Sequence, residues 1–217
     1  MCAAAQSPST AFDVVCMTAS MGGVDAYREI LADLPHRFPA ALVLVQHRPV
    51  RELDTLVRVL QYRSVLPVRL LKDEDRLVPG VVHVVPAGHW AAFSAGGAVT
   101  LHPADDHCAA DPTFASAADV YGPRLVAAVL TGRLQDGALG VRHVRGAGGR
   151  VLAQDRATSK AFGMPGAAMA TGCIDFVLPL PVLVHALVSL VMVPGAAGMM
   201  RVPLPPWAAV IPPVMAT

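Results

Sequence analysis

The stretch DVVCMTASMGG, Asp13–Gly23, is a mostly apolar run that ends in Ser20, Met21 and two glycines. Phe12 to Met17 reads as a strand covered on both faces, and Val24 to Leu34 carries apolar residues at helical spacing. Ser20 therefore sits where a parallel strand turns into a helix, on the edge where open α/β sheets place their sites. A hydroxyl there is either a nucleophile or a helix cap, a position serine favours strongly. Gly22 and Gly23 beside it would let a substrate or a phosphate approach the backbone.

Outward from this turn the pattern repeats. Ala41–Gln46 is a second buried-type strand ending at His47, and Arg51 to Gln61 reads as a helix. Val68–Leu71 is a short third strand. Val81–Val85, Trp90–Phe93 and Val99–Leu101, separated by Gly-containing turns, read together as a small antiparallel insertion. His102–Asp111 reads as a polar loop, and Ser116 to Tyr121 as the end of a helix. Leu125–Leu130, Gly149–Gln154 and Ile174–Leu178 are further strands, with helices at Leu139–Arg145 and Val182–Val193 and a turn plus helix over Phe162–Gly172, the helix beginning at Met164-Pro165. The fold expected is α/β: a doubly wound, mostly parallel sheet in three layers (α/β/α), with a small antiparallel hairpin insertion. The domain is expected over 13–193, between a flexible N-terminus, 1–12, and a Pro-rich tail, 194–217, without regular structure.

Composition narrows the function. The 217 residues suit one α/β domain with a sizeable core, 54% hydrophobic and only 5% aromatic, as tight helix-on-sheet packing favours. The formal net charge of +1 leaves no electrostatic footprint for nucleic acid. Cys2, Cys16, Cys108 and Cys173 lack metal spacing and read as free thiols in a reducing compartment. MCAAAQSPSTAF has no basic region followed by an apolar run, so it is not a signal peptide. Val182–Val193, the longest apolar run, is too short to span a bilayer, and a cytoplasmic protein without membrane insertion is expected.

Ser20, His47 and Asp136 each follow the end of a predicted strand, directly or within a short loop. If those strands are neighbours, the three side chains emerge on one edge. Serine is a weak nucleophile at neutral pH and needs a base, a role a histidine titrating near neutrality can fill. An aspartate on the far ring nitrogen would fix its tautomer. The amides around Met21 and Gly22, opening a helix, could receive an oxyanion. Each residue also has an ordinary reading: His47 as a strand-end histidine satisfied by backbone, Asp136 as a cap before Gly137–Val141.

The motifs, taken in order, resemble those of the CheB-type protein-glutamate methylesterases, the chemotaxis-receptor methylesterases. ASMGG (Ala19–Gly23) resembles the family's Ser-x-Gly-Gly turn and VQHRP (Val45–Pro49) its Gln-His-x-Pro. Leu77–Trp90, LVPGVVHVVPAGHW, is similar to its proline-glycine hairpin segment. LTGRLQDGALG (Leu130–Gly140), LAQDRAT (Leu152–Thr158) and FGMPGAA (Phe162–Ala168) resemble its later motifs. The resemblance runs from about Asp13 to Val193. It implies a triad of Ser20, His47 and Asp136, substrate contacts from Met21, Gly22, Gly23 and Arg133, and no metal or organic cofactor. The reaction implied is removal of methyl esters from glutamyl residues of methyl-accepting chemoreceptors, with deamidation of glutamine as a related activity.

Three departures accompany the resemblance. The family loop reads roughly Thr-Gly-Met-Gly-x-Asp-Gly, whereas here Arg133 and Leu134 follow Gly132. If that glycine needs a left-handed backbone, Leu134 costs about 1–2 kcal/mol or forces another loop. Arg133 then either faces an acidic group at the site or is a solvated surface arginine. The family's Arg-Pro-Ser-x-Asp segment appears as DPTFA, Asp111–Ala115. Only about a dozen residues precede the first strand, too few for the usual receiver domain, so the expectation is an enzyme that is constitutive, one regulated in trans by a separate protein, or one outside chemotaxis.

Two competing readings follow. One is a non-catalytic, methylesterase-like binding or scaffold module disabled by the altered loop. The other is an anion cradle at Ser20–Gly23, which lacks a P-loop lysine and Gly-x-Gly-x-x-Gly. His102, Asp105, Asp106, His107 and Cys108 can bind metals but show no ligand spacing. His89 lies on the hairpin, either bordering a cleft or in a simple turn.

Overall fold

The structure, a computed structural model, describes residues 12–50, 54–105, 108–193, 195–199 and 202–203. Its seven-stranded sheet is parallel throughout, in the order β3-β4-β2-β1-β7-β8-β9. These strands are β1 (Val14–Ala19), β2 (Ala41–Gln46), β3 (Val68–Leu70), β4 (Val82–Val84), β7 (Leu125–Val129), β8 (Arg150–Gln154) and β9 (Phe176–Leu178). Between β4 and β7 the chain forms a separate antiparallel hairpin, β5 (His89–Phe93) with β6 (Val99–Pro103).

The central strand explains the layers. Every residue of β1 is buried, and its side chains alternate. Val15, Met17 and Ala19 enter one core with α1 (Gly23–Asp33), α2 (Leu56–Gln61) and α6 (Leu180–Met192). Val14 and Cys16 enter the other, with α3 (Ala110–Tyr121), α4 (Ala138–Gly146), α5 (Gly163–Ala170) and the hairpin. A strand covered on both faces has no polar side, which is why it reads as a continuous apolar run.

Between the two termini, two of the sequence expectations change. Val81–Val85 does not belong to the antiparallel insertion: β4 is a parallel member of the main sheet, between β3 and β2. Its crossover from β3 contains no helix, so the helical spacing that betrays a βαβ unit is missing. His102–Asp111 is not all loop either. His102 belongs to β6 and stacks on Trp90 across the hairpin, with ring centroids 4.4 Å apart. α3 opens at Ala110. The helix called for over Arg51–Gln61 is described only as Leu56–Gln61, residues 51–53 lying outside the described residues.

Of the N-terminal segment, Phe12 is described, and it is buried in the core rather than loose. In the tail expected to be irregular, Ala196–Met199 forms one helical turn, α7. The rest of both ends lies largely outside the described residues. Cys16 is a buried free thiol and Cys108 an exposed one, Cys173 is buried, and Cys2 is outside the described residues.

Strand order reverses at β1: the chain runs outward through β2 on one side and returns through β7 on the other. The loops leaving β1, β2 and β7 therefore open into one crevice at the sheet's carboxyl edge.

Candidate active site

Ser20 follows β1 and is held by its backbone. Its N–H donates to Thr131 O at 3.0 Å, and its carbonyl accepts from Gln46 Nε2 at 2.9 Å. Gln46, almost fully buried, also donates to His47 O, so one amide ties the ends of β1 and β2 together. The cap of α1 is Gly22, with no side-chain cap bond, so the ordinary reading of Ser20 as a helix cap does not hold. Gly22 lies at φ +84°, where L side chains are strained. A Cβ on Gly23 would collide with Gln46 Oε1. The Gly23 amide already donates to Ser20 O at 2.9 Å, which leaves Met21 and Gly22 as the free edge of the turn.

His47 follows β2 and meets Asp136, from the loop after β7, at 2.6 Å through Nε2. Asp136 is buried, its side chain only 2% exposed. Its Oδ2 accepts from Ala110 N at 2.7 Å and its Oδ1 from Asp111 N at 2.9 Å. Those are the first amides of α3, whose own cap residue is Ala109 and offers no side-chain acceptor. Asp136 therefore caps α3, not the helix that follows it in sequence. Asp111 returns the arrangement: its Oδ1 accepts from Gly140 N in the first turn of α4 at 2.7 Å. Burial pushes the Asp111 carboxyl up to about 6; the α4 amides oppose that rise and the Asp136 charge adds to it.

The loop between Thr131 and Asp136 holds the predicted irregularity. Leu134 has φ +65° and is exposed, a conformation worth about 1–2 kcal/mol of strain in an L residue. The loop is nonetheless anchored. Thr131 Oγ1 donates to Met21 O and accepts from Ala161 N, both at 2.9 Å, and Gly132 N donates to Ala161 O at 2.9 Å.

A cleft of about 350 Å³ opens beside Ser20 and His47, with Arg48, His89, Asp105 and Ala109 among its walls. His89 thus borders the cleft, its Nδ1 3.0 Å from Ala87 O. Arg133 is exposed and is not part of this lining. Arg48 is neutralised in place by Asp54, a clamp that sequence reasoning missed because nothing in the intervening residues marks it. Burial and the charges of Asp136, Asp111 and Asp105 raise the thiol of Cys108, which keeps it protonated and weakly nucleophilic. Among the described residues no group of three or more His, Cys, Asp or Glu side chains is arranged to hold a metal, and no helix is long and apolar enough to cross a membrane.

Comparison with known proteins gives a consistent result. A profile of the CheB methylesterase family matches residues 15–187. A protein-glutamate methylesterase/protein-glutamine glutaminase of Moorella thermoacetica is 39% identical over 187 residues, 82% of this chain and 44% of that protein. A relative of the same description from Anaeromyxobacter dehalogenans is 41% identical over 170 residues, covering 76% of this chain and 50% of that one. The chain thus spans about half the length of the curated relatives it matches. The crystal structure of the Thermotoga maritima CheB methylesterase catalytic domain superposes with a TM-score of 0.77 at 32% identity, covering 83% of this chain and 99% of that one.

Proposed function

The chain belongs to the CheB methylesterase family, and from that premise we propose that it hydrolyses methyl esters of glutamyl side chains on a chemoreceptor-type signalling protein. Ser20 is the nucleophile, His47 the general base and acid, and Asp136 the residue that orients it. The observation that carries this reading is the 2.6 Å contact of His47 with a buried Asp136 that two helix amides hold in place. With Nε2–H donated to Asp136, the lone pair of His47 lies on Nδ1.

In this reading Ser20 Oγ adds to the ester carbonyl as His47 Nδ1 takes its proton. The Asp136 carboxylate stabilises the imidazolium. The Met21 and Gly22 amides, at the positive end of α1, receive the oxyanion, an effect of roughly 3 kcal/mol per donor. Collapse breaks the carbon–oxygen bond, and the methoxy group leaves as methanol with the proton from His47. Water, deprotonated by the same nitrogen, then cleaves the acyl-enzyme, releasing glutamate and restoring Ser20. A glutamine carboxamide follows the same course with ammonia leaving. A cytoplasmic setting and a regulator acting in trans belong to the same proposal.

The altered loop still delivers Asp136 to His47, which favours a working site over a non-catalytic module. The deciding experiment is methanol release from methylated receptor signalling fragments, with wild type and Ser20→Ala side by side. Release that depends on Ser20 supports the reading; no release by folded wild type on several receptors overturns it.

A further inference from the structure

Ser20 has the cleft on one flank and a different surface on the other. The loop after β7 starts against it: a Cβ on Gly132 would lie 3.0 Å from Ser20 Cβ. Gly132 pairs with Phe162 in a parallel bridge, so residues 131–133 and 160–162 run side by side. Three cations crowd this ledge. Arg133 is exposed on the loop, and the Arg156 guanidinium lies 4.3 Å from the centre of the Phe162 ring. Lys160 packs over the Ser20 turn, its Cβ 2.7 Å from where a Cβ on Gly22 would stand. Asp155, the acid that precedes Arg156 in the chain, is engaged locally, its Oδ1 accepting from Thr158 N and Oγ1.

The same ledge exposes apolar surface. Leu134 is 60% exposed at a backbone angle that disfavours any side chain, and Met21, whose carbonyl accepts from Thr131 Oγ1 in the same loop, is 38% exposed. An apolar side chain held in water at such an angle gains only when something covers it. The cations around it select what that is.

We propose that Arg133, Arg156 and Lys160, with Leu134 as apolar anchor, form a docking surface for an acidic segment of the substrate protein. The segment lies across Ser20, its esterified glutamyl side chain in the cleft and its neighbouring carboxylates over the ledge. This rests on the esterase reading above. Surface charge of this kind acts on encounter and on substrate affinity more than on chemistry, and it weakens with salt.

The test uses two synthetic helical peptides, each with one glutamyl methyl ester and one leucine-bearing face, flanked by glutamates in one and by glutamines in the other. Methanol release by wild type is expected to favour the acidic peptide about tenfold in kcat/KM, carried by KM and lost in 0.5 M salt. In Arg156→Ala/Lys160→Ala the preference collapses, and in Arg156→Glu/Lys160→Glu it inverts, while turnover of the glutamine peptide reports that the protein is folded. An unchanged preference in both variants overturns the docking surface. If wild type turns over neither peptide, the esterase reading fails, and the surface is read from anisotropy of the labelled acidic peptide. Salt-sensitive binding that the charge reversal abolishes still supports it, and equal binding of both peptides overturns it.

Discussion

A serine one residue beyond a buried strand and three ahead of a helix can serve as a cap or as a nucleophile, and its hydrogen bonding excludes the cap. Ser20 does not cap α1, so removing its hydroxyl breaks no contact that the helix uses. Ser20→Ala should abolish methanol release while urea unfolding shifts by less than about 1 kcal/mol; a large loss of stability with activity intact would make Ser20 structural. Leu134 gives the opposite case. Its angle of φ +65° favours glycine, and its side chain is mostly in water, so little packing is lost when it is removed. Leu134→Gly should raise stability by up to about 1 kcal/mol, the relieved strain exceeding the entropy that glycine adds to the unfolded chain. Leu134→Val, β-branched, should lower it by a similar amount. Equal unfolding midpoints for all three would show that the loop relaxes freely.

The elements that carry the site are joined by exchanged caps. Asp136, just ahead of α4, binds the first amides of α3, and Asp111, in the first turn of α3, binds an amide of α4. Because burial raises the Asp111 carboxyl from 3.8 to about 6, the folded protein holds a proton there that the unfolded chain releases earlier. This group's contribution therefore falls as pH rises from about 4 to 6 and is constant above. Asp111→Asn keeps an acceptor without the charge. Its stability relative to wild type should climb in the variant's favour over that interval and stay level at higher pH. A difference independent of pH would mean that Asp111 titrates normally. At the other end of the site, Gly23→Ala should cost about 1–3 kcal/mol, because the new methyl displaces the Gln46 amide that joins β1 to β2. Fluorescence-monitored unfolding measures it, and a smaller cost would show that Gln46 moves aside.

At the scale of the molecule, the cleft is assembled from separate units. The hairpin contributes His89 and the segment after it Asp105, yet the hairpin shares no ladder with the main sheet. Two hydroxyls of α3 hold it: Thr113 Oγ1 accepts from Ala91 N at 3.1 Å and Ser116 Oγ from Phe93 N at 2.8 Å. Thr113→Val leaves a buried amide unpaired, which costs about 1–3 kcal/mol. Hydrogen exchange should speed up in β5 and β6 before the main sheet changes, and KM for a protein substrate should rise more than kcat falls. Uniform exchange across both sheets would mean that hairpin and sheet open as one unit.

Much of this architecture is local and so was legible in the chain. Strands buried on both faces announce themselves as apolar runs, and β2 was readable to the residue as Ala41–Gln46. The ends of β1, β2 and β7 marked Ser20, His47 and Asp136 because parallel strands deliver their carboxyl ends to one edge. Whatever depends on partners far apart in sequence was hidden. The start of α3 has no cap of its own and is completed by Asp136 across the crevice. β4 joins the main sheet through a crossover that has no helix to mark it. The sequence by itself determined which segments are strands and where side chains leave them, since both follow from periodicity and burial. Only the tertiary structure decided which of those side chains meet, because the bonds between Asp136, His47 and the opening of α3 exist only once their strands lie side by side.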